Sequence, residues 1–398
     1  MTTSARATSG IRIGVVRDRR ELELLRGEWN RLLRSSATDS VFLSWEWLST
    51  WWEVFGDGHA PFYVTARDAG GELVGLAPLV VGAGRGRIGR RLRTLMIAGQ
   101  QAETLSEFLD LVVVRGREPE AVPLLARSIL EHAGSEWDRL VFERVPTCSP
   151  NLPLLEQALR SAGLDPRRSA GEASPYLPLP ASWGALFDSM SRNFRSQWNH
   201  SMNKLARDGE VKLRFAGRDV ALDTAMDRLA ELNRARWGAR GGSFRSEAYL
   251  RFHRLLSRRL HERGALLLVL LDVGDTTVAV RYDFLWAGKI WCFQGGWLPA
   301  YERMNVGTIL TGKVLEWGIE NGYREYDFLK GDRPYKRRWA SAARTLVDLT
   351  AWSRSPKARW WKAVDRAADA VRGHAPPALR RAWARLRFSA SESGDAPD

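Results

Sequence analysis

The chain has 398 residues, enough for two domains of ordinary size and too many for a small module stapled by disulfides or metals. Its two cysteines, Cys148 and Cys292, are far apart, which excludes a disulfide framework and a Cys-rich metal site. Sixty Lys and Arg against 46 Asp and Glu give a net charge of +14, so an anionic partner is favoured and the position of the charge becomes the question.

The opening MTTSARATSG lacks the apolar core of a secretory signal, and the longest apolar run, 265–271, is too short to span a bilayer. A cytoplasmic body is expected. A strand is predicted at 11–16 and a helix at 20–33, where Leu22, Leu25, Trp29 and Leu32 recur at helical spacing. Ser44 is placed to cap a second helix, and its Trp47, Leu48, Trp51, Trp52 and Phe55 read as core rather than as a ligand platform. A hairpin of 61–67 and 73–81 follows, turning at Ala69-Gly70-Gly71. The basic run Arg85, Arg87, Arg90, Arg91 and Arg93 reads as a solvated loop, with a phosphate grip as the alternative. Strands near Leu95, at 109–114 and at 139–144, with helices at 120–133 and 152–162, complete an α+β domain over 1–165.

Pro, Gly, Ala and Ser make 166–182 a predicted linker. A second domain over 183–352 then repeats the order of elements without a residue-level repeat. Its predicted helices are 183–208, 220–236, 247–262 and 306–320; its strands are 211–215, 265–272, 277–286, 289–295 and 323–329. In the tail, 353–398, Ser355 and Pro356 start a helix with Trp360, Trp361, Val364, Ala368 and Val371 as a narrow apolar stripe among Lys and Arg. Pro376-Pro377 ends it, and Leu379, Trp383 and Leu386 line a second short helix. This pattern predicts a basic helix lying on an anionic membrane surface through 355–388; a helix folded back on the body is the alternative.

The segment 289–339 carries the chemistry. A strand ending in Gly295-Gly296 beside a helix that starts at Asn305, Val306, Gly307 and Thr308 is expected to leave backbone N–H groups for a pyrophosphate. On the strand 323–329, Asp327 points away from Tyr326 and Phe328, with Lys330 and Asp332 at the strand's end. Asp327 reads as a base or acceptor-orienting group, or else as a structural carboxylate bonded to a backbone N–H or an Arg. Tyr335 reads as a general acid, or else as an interfacial aromatic. Arg192 and Arg195, with Lys204, Arg207, Phe194 and Trp198, form either a grip on an anionic acceptor or a solvated helix with two buried aromatics. Arg236, Trp237 and Arg281 are weaker candidates. The six histidines show no ligand spacing, so no metal is expected, and no GxSxG element supports a serine hydrolase.

The order strand, Pro-containing loop, Gly at a helix start, helix, Gly stop, strand resembles the acyl-CoA-binding core of the GCN5-related N-acetyltransferase (GNAT) superfamily. Its usual loop, Arg/Gln-x-x-Gly-x-Gly/Ala, is Glu302-Arg303-Met304-Asn305-Val306-Gly307 here, so only the last Gly matches. Asn305 stands in the first Gly position and tolerates positive φ. The run Tyr326-Asp327-Phe328-Leu329-Lys330-Gly331-Asp332, with Tyr335-Lys336 and Trp339, resembles the signature of the CelD-like acetyltransferases linked to cellulose and exopolysaccharide biosynthesis. SWEWLSTWWEVFG, LVGLAPLVV and SRNFRSQWNHSMNKLARDG fit the same family. That family is similar in fold to the FemAB-type transferases, which pair two GNAT-like halves and use aminoacyl-tRNA.

The resemblance implies an α+β fold of two tandem GNAT-like domains, with mixed, mostly antiparallel sheets flanked by helices. It implies N- or O-acyl transfer from acetyl-CoA or another acyl-CoA, without a metal, to an anionic or saccharide acceptor of the cell envelope or an exopolysaccharide. The acceptor would meet Arg192, Arg195, Trp198, Arg236, Trp237, Arg281, Lys330, Asp332 and Lys336, at the inner face of the cytoplasmic membrane and beside polysaccharide-synthase machinery. An aminoacyl transferase using tRNA and a non-catalytic synthase subunit are the alternatives. The positive charge is clustered in the tail and a few short runs, so no DNA partner is expected.

Overall fold

The computed structural model describes residues 10–85, 91–100, 104–238, 244 and 246–374, and of 83–85, 91 and 368–374 the backbone alone. Tertiary contacts divide the chain into two units, and the division departs from the linear one expected. The second unit is Glu172–Arg344, while the segment beginning at Thr345 returns to join residues 1–171.

The first unit contains β1 (Arg12–Val16), α1 (Arg19–Glu23), α2 (Arg26–Ser35), α3 (Trp45–Phe55), β2 (His59–Arg67) and β3 (Leu73–Arg85). Next come β4 (Arg91–Ile97), β5 (Val112–Val113), α4 (Glu118–Glu131), β6 (Arg139–Pro146), α5 (Asn151–Ser161) and β7 (Arg167–Arg168). Ser44 caps α3 by accepting the Trp47 N–H, and Trp47, Trp51 and Trp52 are buried, so the Trp stripe is core. Two of the three indole N–H groups are bonded, Trp47 Nε1 donating to Ser106 Oγ and Trp52 Nε1 to the Tyr63 hydroxyl, while Trp51 Nε1 is buried without an acceptor among the described residues.

The second unit contains β8 (Glu172–Pro178), α6 (Trp183–Ser189), α7 (Arg192–Asp208), β9 (Val211–Phe215), α8 (Leu222–Trp237) and α9 (Glu247–Glu262). β10 (Leu266–Val273), β11 (Thr276–Trp286), β12 (Lys289–Trp297), α10 (Val306–Glu320), β13 (Glu325–Asp327) and α11 (Pro334–Trp339) follow. The predicted linker 166–182 is thus largely strand: β8 pairs antiparallel with β13, Leu177 facing Tyr326. The single helix expected at 183–208 is two, because Met190 is extended and Ser191 starts α7 afresh by accepting the Phe194 N–H. The strand order is β8-β13-β12-β11-β10-β9, antiparallel except for the parallel pair β12 and β13. The apolar face of α10, with Val306, Ile309, Leu310, Val314 and Leu315, packs into the core of this unit.

β14 (Ala342–Trp352) and α12 (Pro356–His374) complete the described chain. β14 pairs with β6 from Leu346 to Trp352, which is why a domain boundary placed after Trp352 fails. α12 folds back onto the first unit over the residues whose side chains are described: Ala358 and Trp361 are buried, Lys357 Nζ lies 2.8 Å from Asp138 Oδ2, and Lys362 and Arg366 reach Asp165. The remainder of the expected membrane-lying tail, 375–398, falls outside the described residues.

Two predictions follow from the packing. A Cβ on Gly296 would sit 2.3 Å from the Asn233 backbone nitrogen, so Gly296→Ala should destabilise the protein by about 1–3 kcal/mol in urea unfolding. Burial works to raise the Asp138 carboxyl, but Arg93 and Lys357 hold it down at about 2. Its folded pKa is below the unfolded value, so its contribution is complete above about pH 4 and drains as the pH falls towards 2. The stability gap between wild type and Asp138→Asn should therefore close over that window.

Candidate active site

β12 and β13 run parallel for only three residue pairs, Lys289 with Glu325, Ile290 with Tyr326 and Trp291 with Asp327. Past them the strands part. The Phe328 N–H donates to the Pro175 carbonyl of β8, so the chain leaving β13 follows β8, while β12 continues alongside β11 as far as Trp297. A bulge marks the parting: Tyr282 faces Gln294 and Asp283 faces Cys292, leaving Phe293 as the extra residue in β12. The outcome is a fork that opens between β12 and β13 beyond Trp291 and Asp327.

The bulge is held by Asp283, which is fully buried. Its carboxylate accepts the Phe293 N–H at 3.1 Å and the Tyr326 hydroxyl at 2.8 Å, and pairs with Arg281 at 3.2 Å. Arg281 also donates to the Tyr326 hydroxyl, at 3.0 and 3.2 Å, and its guanidinium touches Cys292 Sγ. Burial pushes the Asp283 carboxyl and the Cys292 thiol up, with Arg281 opposing both, and it holds the Tyr326 phenol well above its ordinary range. Tyr335, which is 39% exposed, lies within electrostatic reach of Arg281. Arg281 is legible in the sequence as a candidate, but Asp283, Tyr326 and Cys292 are not. The available signal was two charges, Arg281 and Asp283, on one face of the otherwise apolar strand TTVAVRYDFLW.

Asp327 takes the structural role of its two readings. It is fully buried and accepts from Leu329 N at 2.8 Å, Ser174 Oγ at 3.3 Å and Arg344 at 3.1 Å, which fixes the turn where Leu329 has φ of 60°. Lys336 is buried too, its Nζ donating to the carbonyls of Leu329 and Lys330, so it braces that turn rather than facing a substrate. Lys330 lies near Glu172, and Asp332 pairs with Arg337 on the surface. Trp198 belongs to the core: its ring packs among Trp183, Phe194 and Trp339, over Gly312 of α10. Arg192 is exposed, and Arg195 is half-exposed and near Asp188.

The glycines at the end of β12 serve packing. A Cβ on Gly295 would meet the Val280 carbonyl at 2.9 Å, and Gly296 lets α8 lie directly on the strand, where Asn233 Nδ2 donates to the Gly295 carbonyl at 3.1 Å. Asn305 has φ of 54° and ψ of 33°, the left-handed conformation that starts α10, and its Nδ2 donates to Ser201 Oγ. Its side chain therefore does not cap the helix, and the first turn, Val306-Gly307-Thr308, carries no acidic residue. Trp297 lies against Gly307, and the Arg236 guanidinium sits 3.7 Å from the centre of the Trp297 ring and 4.8 Å from that of Trp237. The fork thus leads to a helix N-terminus with a cation stacked beside it. Among the described residues no group of three or more His, Cys, Asp or Glu is placed to hold a metal.

Residues 192–337 match the family model of an acetyltransferase (GNAT) domain. No curated protein matches the chain in sequence. Among solved structures the chain is similar to FemX, at 13% identity and a TM-score of 0.57, covering 82% of this chain and 96% of that one. It is also similar to a conserved protein of unknown function from Bacteroides thetaiotaomicron, at 12% identity and 0.52, covering 86% and 100%. A tandem GNAT protein from the clavulanic acid biosynthesis pathway aligns over 86% of this chain and 98% of its own, at 14% identity and 0.46. The matched domain lies wholly within the second unit and contains the fork, α10 and the Asp283 cluster, and it makes 192–337 an acyltransferase domain of the GNAT fold.

Proposed function

We propose that the second unit moves an acyl group, acetyl foremost, from acyl-CoA to an amine or hydroxyl of a cell-envelope or exopolysaccharide precursor. The observation that carries the donor is the fork between β12 and β13, which leads to the uncapped start of α10 with Arg236 on Trp297. The N–H groups of Val306, Gly307 and Thr308 and the Arg236 guanidinium hold the pyrophosphate. The amide-bearing arm enters the fork alongside β12 as an added strand would, and the thioester reaches the bulge at Phe293. The acceptor is supported by the resemblance of 326–339 to the CelD-like signature, with exposed Arg192 and half-exposed Arg195 on the first turns of α7.

In the reaction the acceptor nitrogen or oxygen bonds to the thioester carbonyl carbon and the C–S bond breaks, its electron pair leaving on sulfur. The Tyr335 hydroxyl gives its proton to the departing thiolate and takes one back from the attacking group, and the neighbouring Arg281 charge favours the phenolate formed in between. Asp283 is a positioning residue. It fixes the bulge and the fork, and it leaves Arg281 a partner deep in the protein.

Calorimetry with acetyl-CoA, followed by turnover with envelope saccharide acceptors, tests the assignment. Arg236→Ala should weaken acetyl-CoA about ten- to a hundredfold, since a charge-assisted bond contributes about 1.5–3 kcal/mol. Tyr335→Phe should cut kcat by about 10²-fold or more while leaving KM in place. Unchanged kcat in that variant would remove Tyr335 from the mechanism. Asp283→Ala should cost about 3–5 kcal/mol of stability, because it leaves Arg281 buried without its carboxylate, and Asp283→Asn should cost less. Salt-sensitive binding of tRNA in place of acyl-CoA would redirect the donor to aminoacyl-tRNA.

A further inference from the structure

The first unit contains a second fork built on the same plan. β4 and β6 run parallel for three pairs, Thr94 with Arg139, Leu95 with Leu140 and Met96 with Val141, and α4 lies between them in sequence as α10 lies between β12 and β13. What stands beyond the third pair differs. Gln100, 6% exposed, follows a tight turn at Gly99 and reaches across to β6, where its Nε2 donates to the Val141 carbonyl at 3.0 Å and its Oε1 accepts the Glu143 N–H at 3.0 Å. One carboxamide thus offers the strand one donor and one acceptor, which is what an amide of a pantetheine arm would offer it.

The helix starts differ as well. The first turn of α4 is Glu118-Pro119-Glu120, whereas that of α10 has no carboxylate. Pro119 lacks an N–H, Glu118 Oε2 accepts the Gly116 N–H at 2.7 Å, and Glu120 pairs with Arg117 at 2.9 Å. Two carboxylates already sit on the positive end of the dipole where a diphosphate would have to go. Strand cleft and helix start are therefore closed independently, the one by an internal amide and the other by internal anions.

We infer that the chain holds a single acyl donor, in the second unit, and that Gln100 closes the corresponding fork of the first unit by standing in for a ligand amide. This rests on the acyl-CoA reading of the second unit, and the test separates the two. Calorimetry of the full chain with desulfo-coenzyme A should give one equivalent. Arg236→Glu should abolish the heat of binding without a residual weaker site, with circular dichroism confirming the fold. Glu120→Gln should leave both affinity and stoichiometry at their wild-type values. Gln100→Glu, which loses the donor to Val141, should lower the melting temperature while the stoichiometry stays at one. Two equivalents in the wild type, falling to one in Arg236→Glu, would overturn the inference and leave the second-unit site standing, whereas one equivalent in both proteins would overturn the inference by moving the donor away from Arg236. No binding at all would overturn the donor reading and this inference with it.

Discussion

The second unit depends on one buried carboxylate. Asp283 bonds the Phe293 N–H of β12, the Tyr326 hydroxyl of β13 and Arg281 of its own strand β11, so three adjacent strands share one acceptor at the point where two of them separate. A parallel pair that stopped after three residues would ordinarily leave frayed ends in the core. Here the bulge at Phe293 gives β12 its bend, and the carboxylate takes the amide that the bulge withdraws from the ladder. The fork is thereby a fixed feature rather than an interruption, and α10 can begin where β12 delivers the chain.

Such an arrangement is costly as well as useful. An ion pair in this position gives little net stability over an apolar filling, since desolvation of both charges offsets their attraction. Its survival has a reason other than stability. Apolar side chains would pack the region but could neither accept the Phe293 N–H nor put a cation within electrostatic reach of Tyr335. The same logic covers α8, which approaches β12 closely enough that Gly296 admits no side chain, bringing Arg236 at its last turn over Trp297. Backbone contact at one point sets the reach of a cation at another.

How far the sequence discloses this depends on whether the cause is local. Ser44 before a Trp stripe, Asn305 before Val306-Gly307, and the strand, loop, helix, strand order of 289–327 are local signals, and the elements stand where they predict. Gly295-Gly296 reads as a phosphate loop because two glycines after a strand often are one; their purpose is the packing of α8, more than fifty residues earlier, which no local pattern contains. Trp198 reads either as part of a grip with Arg195 or as a buried aromatic, and the deciding feature is Gly312, on a distant helix, which makes the hollow for its ring. The same holds for β14, whose partner β6 lies some two hundred residues back. The linker reading of 166–182 failed because β8 is rich in turn-forming residues and becomes a strand only by pairing with β13.

The segment YDFLKGDRPYKRRW, the most distinctive stretch of the chain, shows what a sequence signature can encode. Tyr326 enters the Asp283 cluster, Asp327 ties down the Leu329 amide, Lys336 braces the Leu329 and Lys330 carbonyls, and Trp339 anchors α11 among Trp183, Phe194 and Trp198. Four of its polar or aromatic side chains are thus spent on making the chain leave β13 sharply, through a left-handed residue and Gly331 at φ of 99°. Without that turn the strand would continue beside β12 and close the fork, much as Gln100 does between β4 and β6. The signature therefore encodes an opening more than a set of reacting groups, and Tyr335, one of its exposed residues, lies within electrostatic reach of Arg281.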